Sequence, residues 1–232
     1  MGVNAISVLQ EIWNGFDFGN LLEILLSVIP ALLCITLHEL SHGVVAYALG
    51  DNTAKAAGRL TLNPIKHLDL MGLLMMVIFH FGYAKPVPVN MMNFKNPKAG
   101  MAVTALAGPV SNFLIAVIFL FLTGFFYFPL YGSEWGSYLT RMLLITAQLS
   151  LMLGLFNLLP IPPLDGSKVL FAVLPDEAYW KLMRYERYGF ILMIALVMFG
   201  ALNGVLSTAE STVFNWLRPV LEWGLSLGAQ VF

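Results

Sequence analysis

Apolar residues in this chain fall in long uninterrupted runs, with little strand-like alternation. The first run, residues 21–50 (LLEILLSVIPALLCITLHELSHGVVAYALG), is 30 residues long. At about 1.5 Å of rise per residue, a helix of that length exceeds a hydrocarbon core of roughly 30 Å. Pro30 predicts a bend, and Gly50-Asp51 predicts a stop. Three further apolar segments follow, at about 101–128, 138–159 and 188–206. The last stretch, STVFNWLRPVLEWGLSLGAQVF (211–232), carries Arg218, Pro219 and Glu222. It reads equally as a span or as an amphipathic helix at the interface.

Between the first two runs lies a polar loop, 51–67, with Lys55, Arg59, Lys66 and His67. The short apolar run 68–83 contains His80, and KPVPVNMMNFKNPK follows with Lys85, Lys95 and Lys98. Short basic loops favour the cytoplasmic side. With both flanking loops there, 68–83 is expected to be re-entrant or surface-dipping, a true short span being the alternative. The alternation and prolines of KPVPVN suit an edge strand. The fold class expected is therefore an all-α polytopic membrane protein with about four to six transmembrane helices. A small β-like re-entrant or edge-strand element is expected after the first span.

Composition narrows the class further. Of 232 residues, 59% are hydrophobic and 11% charged, against about 25% charged in soluble domains. Mean hydropathy is +0.80. The net charge of -1 gives no field for nucleic acid, which is not expected as a partner. A single cysteine, Cys34, rules out an intrachain disulfide and argues against a cysteine-built metal site. The N-terminal twenty residues lack the basic region of a cleavable signal peptide. With no linker or repeat, one membrane-embedded domain over 1–232 is expected.

The chemistry begins at TLHELSHGVVA, residues 36–46, where His38, Glu39 and His42 form H-E-x-x-H. On a helix, positions i and i+4 share a face, so both imidazoles can reach one ion. Glu39 falls beside that face, within reach of a water held there. His38 lies 12 residues before Gly50, roughly 18 Å along a helix, so the motif sits below the membrane surface. The plainer alternative is three polar residues on a buried helix face, but polar groups inside a span are costly and usually functional.

A catalytic zinc takes a third protein ligand and keeps a position open. NLLPIPPLDG, residues 157–166, offers Asp165 after three prolines, in a segment that cannot be regular helix. Irregular backbone at membrane depth is tolerated where it is buried or lines a cavity. The alternative role for Asp165 is to cap the helix that follows. His67 and His80 fit no ligand position and read as structural or interfacial. Cys34 reads as a small packing residue, and Met75, Met76, Met91 and Met92 as gap-filling or lipid-facing.

HELSH, GPVSN (108–112), NLLPIPPLDG and GYAKPVPVN (82–90) together resemble the site-2 protease family of intramembrane zinc metalloproteases. Their form is similar to a compact prokaryotic branch without a PDZ domain. The resemblance runs from about residue 20 to 175, the expected catalytic core, with C-terminal helices over about 186–232. It implies that His38, His42 and Asp165 ligate one zinc per chain and that Glu39 is the general base. Asn157 would lie beside the metal and help hold the scissile carbonyl. Asn112 would support the site from the next span or pack there. Lys85, Pro86 and Val87 would either receive the substrate as an added strand or form a rigid loop without substrate contact.

The implied partners are a transmembrane protein substrate and the lipid bilayer. The implied location is a prokaryotic cell membrane, with the active site opening toward the cytoplasm. Unlike some members, the chain is expected to carry no span before HELSH and no PDZ domain. The rival class is a metal transporter or sensor, which predicts ligands on several spans. The first span holds only Glu23 and Glu39 as acidic residues. A non-catalytic scaffold is the third reading, and the complete H-E-x-x-H with Asp165 argues against it.

Overall fold

The computed structural model describes residues 21–69, 72 and 84–232. Among these described residues ten elements follow in order, all helical. They are α1 (Leu21–Ala48), α2 (Thr53–Ala56), two 3-10 turns (Pro64–Lys66 and Met91–Asn93), α3 (Pro97–Phe125), α4 (Tyr127–Leu130), α5 (Glu134–Asn157), α6 (Asp165–Ala172), α7 (Asp176–Met198) and α8 (Asn203–Val231). Among the described residues three helices are long and apolar enough to cross a membrane: Leu26–Ala48, Pro97–Phe125 and Glu134–Asn157. A fourth crossing is available if Tyr188–Met198 and Asn203–Val231, bent by 81°, form one broken span. Among the described residues the expected four to six spans therefore reduce to three or four. The segment expected to be re-entrant, 68–83, lies almost wholly outside the described residues, as do the N-terminal twenty and His80.

The helix ends follow local chemistry. Gly50 has φ of +106°, and around it Gly50 N–H bonds Tyr47 O at 3.1 Å and Asp51 N–H bonds Ala46 O at 2.9 Å. That pair of bonds closes a Schellman stop, at the place the sequence predicts. At the start of α3, Pro97 suits the first helical position and Asn96 Oδ1 accepts from Ala99 N–H at 3.2 Å. The apolar segment expected at 188–206 begins instead at Asp176 and ends at Met198. Its first turns carry charge yet remain helical, because a hydropathy run reports burial in lipid and not helix length. Gly200, with φ of +66°, turns the chain into α8.

Among the described residues the expected β-like element is not present. Residues 84–90 form no strand among the described residues. The reason is visible in the donors: Val87 N–H goes to Glu39 Oε2 at 2.9 Å and Asn90 N–H to Asp51 Oδ2 at 2.7 Å. Amides spent on carboxylates are not available to a ladder, and Pro86 and Pro88 have none to give.

The chain forms two compact units. One contains residues 21–34, 112–156 and 194–232; the other contains 35–111 and 157–193. In the first, α3 and α8 approach through glycine. A Cβ at Gly124 would stand 2.2 Å from Leu221 O, and one at Gly224 2.4 Å from Phe121 O. Small residues let backbones meet at that distance where lipid offers no hydrophobic drive. Phe121 and Trp223 flank the crossing with ring centroids 5.0 Å apart. Ser150 Oγ donates to Asn112 O at 2.9 Å, and the buried Cys34 Sγ to Thr146 O at 3.6 Å. Outward-facing positions on α3, including Val110, Leu114 and Ile118, are apolar and more than half exposed. Lipid contact accounts for such a stripe better than water does.

The second unit holds every group placed near the H-E-x-x-H motif. Lys98 Nζ, in the first turn of α3, donates to Asp176 Oδ1 at 2.9 Å and also to Leu174 O. This ties the start of α3 to the turn between α6 and α7. Gly189 lets α7 press on the proline segment, since a Cβ there would lie 2.4 Å from Pro162 Cβ.

Candidate metal centre

His38 and His42 lie one turn apart on α1, and both are buried. Their rings meet edge to face, with centroids 4.6 Å apart. His42 Nδ1 is 2.7 Å from the carbonyl oxygen of Thr104 on α3. A carbonyl can only accept, so that nitrogen carries the proton and Nε2 presents a lone pair. His38 Nδ1 is buried without a hydrogen-bond partner among the described residues.

Asp165 closes the arrangement. The segment 158–164 is turn and bend, and α6 begins at Asp165. The residue preceding that helix is Leu164, which makes no side-chain cap, so Asp165 is not spent on capping. Gly166 is required there, because a Cβ would fall 2.1 Å from Leu158 O. Asp165 Oδ2 stands 3.2 Å from His38 Nε2 and 3.1 Å from His42 Nε2, and the two imidazole nitrogens are 3.1 Å apart. Its other oxygen, Oδ1, is 3.6 Å from Lys168 Nζ. Burial opposes ionisation of this carboxyl, and the Lys168 ammonium beside Oδ1 favours it.

Three electron-rich atoms thus form a near-equilateral triangle. With metal–ligand lengths of about 2.0–2.2 Å and tetrahedral angles, ligand atoms stand about 3.3–3.5 Å apart. The observed 3.1–3.2 Å fits that face, and two imidazoles plus a carboxylate are a zinc donor set. A shared cation also removes the lone-pair repulsion that His42 Nε2 and Asp165 Oδ2 would otherwise suffer.

Glu39 is half-buried beside this triangle, its Oε2 accepting from Val87 N–H at 2.9 Å. Oε1 carries no hydrogen bond among the described residues. Asn157 is the last residue of α5, half-buried, in the same unit as Asp165. Asn112 falls in the other unit, fully buried, with its amide oxygen and nitrogen unpartnered among the described residues. Lys85 and Pro86 are exposed, whereas Val87 is buried. His67 is fully buried and its Nε2 donates to Thr61 O at 2.9 Å; it braces the loop. Met91 Sδ accepts from Tyr179 Oη at 3.9 Å, and Met92 is exposed.

Two contributors had no sequence reading as site groups. Thr104 acts through its backbone carbonyl, which leaves no mark in a sequence. Gly108 forms the wall behind the imidazoles: a Cβ there would lie 2.5 Å from His38 Cε1 and equally close to His42 Cε1 and Nε2. A glycine beside proline in an apolar helix signals close helix approach, and that is the only sign of it.

The profile of peptidase family M50 matches residues 131–201. The chain is 44% identical over 176 residues to "Putative zinc metalloprotease YwhC" of Bacillus subtilis, covering 73% of this chain and 78% of that protein. Rip2 of Mycolicibacterium smegmatis, named in the same form, is 33% identical over 177 residues, which is 74% of this chain and 66% of that protein. "Zinc metalloprotease MJ0392" of Methanocaldococcus jannaschii is 29% identical over 195 residues, 83% of this chain but 46% of its own length. No solved structure matches the chain. An aligned region that covers most of the Bacillus protein, together with a His/His/Asp triangle of zinc dimensions, places the chain in peptidase family M50, the site-2 protease family, as an integral membrane zinc metalloprotease.

Proposed function

We propose that this metalloprotease hydrolyses peptide bonds of membrane-embedded proteins, with His38, His42 and Asp165 holding the zinc and Glu39 as general base. The observation that carries the reading is the triangle itself, within 3.2 Å on every side, with Glu39 on the same turn of a membrane-length helix. When bound, zinc supplies Lewis acidity toward water and the scissile carbonyl. Glu39 accepts the proton of the attacking water on its carboxylate and returns it to the leaving amine nitrogen. Val87 N–H occupies Oε2, so Oε1 is the oxygen that moves the proton. The Asn157 amide, eight residues before Asp165, holds the carbonyl oxygen as charge develops on it.

A helical substrate keeps its carbonyls in i→i−4 bonds and must unwind before one reaches this site. Lys85 and Pro86, exposed next to the Glu39 contact, are the residues of their segment available to meet the unwound chain. The basic loops 51–67 and 84–98 support an opening toward the cytoplasm.

Dialysis of the purified chain in lipid vesicles against a zinc chelator is expected to abolish cleavage of a single-pass membrane reporter. Stoichiometric zinc should restore it, and magnesium should not. Turnover that survives verified zinc loss contradicts the reading.

A further inference from the structure

Segment 84–93 is held by two buried charged side chains that do not pair with each other. On one side of Val87, Arg59 Nη2 donates to Lys85 O at 2.7 Å, and Lys85 N–H donates to His67 O at 2.9 Å. On the other side, Asp51 Oδ2 accepts from Asn90 N–H and its Oδ1 from Asn93 Nδ2, each at 2.7 Å. Thr53 adds its N–H, at 3.0 Å, and its hydroxyl to Asp51 Oδ1. Asp51 is 0% exposed and Arg59 7%. Burial would raise the Asp51 carboxyl; the hydrogen bonds from Thr53, Asn90 and Asn93 outweigh it and keep the group below its ordinary value.

Burying two charges costs free energy that only good hydrogen bonding offsets. Arg59 donates to the backbone of this one short segment, and Asp51 accepts from the segment as well as from Thr53. Of the four residues between the two clamps, 86–89, two are prolines without an N–H, and Val87 is the one whose N–H reaches Glu39. Its side chain sits over Gly43, where a Cβ would come within 3.2 Å of Val87 Cγ1. Clamp, seat and N–H therefore all fix one amide relative to one carboxylate. A glutamate with three side-chain torsions on a half-buried helix face has several rotamers open to it, and this amide selects among them.

We propose that Asp51 and Arg59 are positioning residues for the reaction: they hold Val87 N–H against Glu39 Oε2 and so orient the carboxylate that moves the proton. The inference rests on the reading of Glu39 as the base. Neither residue touches the reacting atoms; each acts through the Val87 amide.

The test is steady-state kinetics of the full chain in vesicles, on a single-pass membrane reporter, with zinc content measured for each variant. Asp51→Ala and Arg59→Met are expected to lower kcat on the order of 10–100-fold, the scale of a displacement of about 1 Å. Zinc should stay at one per chain in both, and KM within about twofold in Asp51→Ala, whose contacts fall on Asn90 and Asn93 and not on Lys85. Arg59→Lys should recover most of the rate, because an ammonium can still donate to Lys85 O. Asn93→Ala, at an exposed side chain, removes one donor without risk to folding and should cost a few-fold in kcat. Unchanged kcat in Asn93→Ala and Arg59→Met, with Glu39→Gln inactive, overturns the positioning and leaves the base standing. Loss in Asp51→Ala that appears in KM or in zinc content instead also overturns it. Active Glu39→Gln overturns the reading of the base, and the positioning with it.

Discussion

Glu39→Gln is expected to stop cleavage of a membrane-embedded substrate while one zinc per chain remains bound. The substitution keeps the shape of the side chain, and its amide oxygen can still accept from Val87 N–H. What it removes is the basic oxygen. General base catalysis contributes typically about 10²–10⁴-fold, and in the proposed mechanism the same group also delivers the proton to the leaving amine, so a loss of at least about 10³-fold in kcat is expected. The proposed zinc ligands are His38, His42 and Asp165, and the change touches none of them. Metal analysis and single-turnover kinetics on the same preparation check both halves. Undiminished turnover would end the account of Glu39.

Gly108→Ala is expected to cost the protein its zinc. The new Cβ would stand 2.5 Å from atoms of both imidazoles, a separation that neither side can keep. His42 cannot swing aside freely, because Thr104 O holds its Nδ1 at 2.7 Å. The rings must therefore separate or tilt, and groups behind metal ligands typically cost about 10–100-fold in affinity when disturbed. Direct intrusion between two ligands should reach at least the upper end of that range. Alanine is a better helix former than glycine by about 0.8–1.0 kcal/mol, so α3 itself should not weaken. Competition with a fluorescent zinc chelator measures the affinity, and thermal unfolding of the zinc-free forms checks the scaffold. Gly204→Ala, where nothing lies within 4 Å of the new atom, is the control and should change neither.

The site and the scaffold were legible in the sequence to different depths. His38, Glu39 and His42 announce themselves through spacing on one helix face. Asp165 stands out because polar residues after three prolines at the end of a span have few ordinary uses. The long helices were readable from apolar runs, since lipid imposes both length and composition. What escaped is carried by backbone atoms: Thr104 O, Val87 N–H and the bare Cα of Gly108 do their work without a side-chain signature. KPVPVN misled for a related reason. Alternation suggests a strand, but the fate of its amides depends on Asp51 and Glu39, which arrive from distant positions in the chain. Hydropathy alone leaves the number of spans open, because an apolar stretch such as 211–232 suits lipid whether or not it crosses.

The most direct test of the central claim is to map where the protein cuts. A single-pass reporter reconstituted in vesicles with the purified, zinc-loaded chain would be cleaved and its new termini read by mass spectrometry. The account predicts one principal cut inside the apolar segment of the reporter, absent when zinc is removed and restored when it returns. A cut confined to the water-exposed flanks, or the same cut in the zinc-free protein, would contradict it.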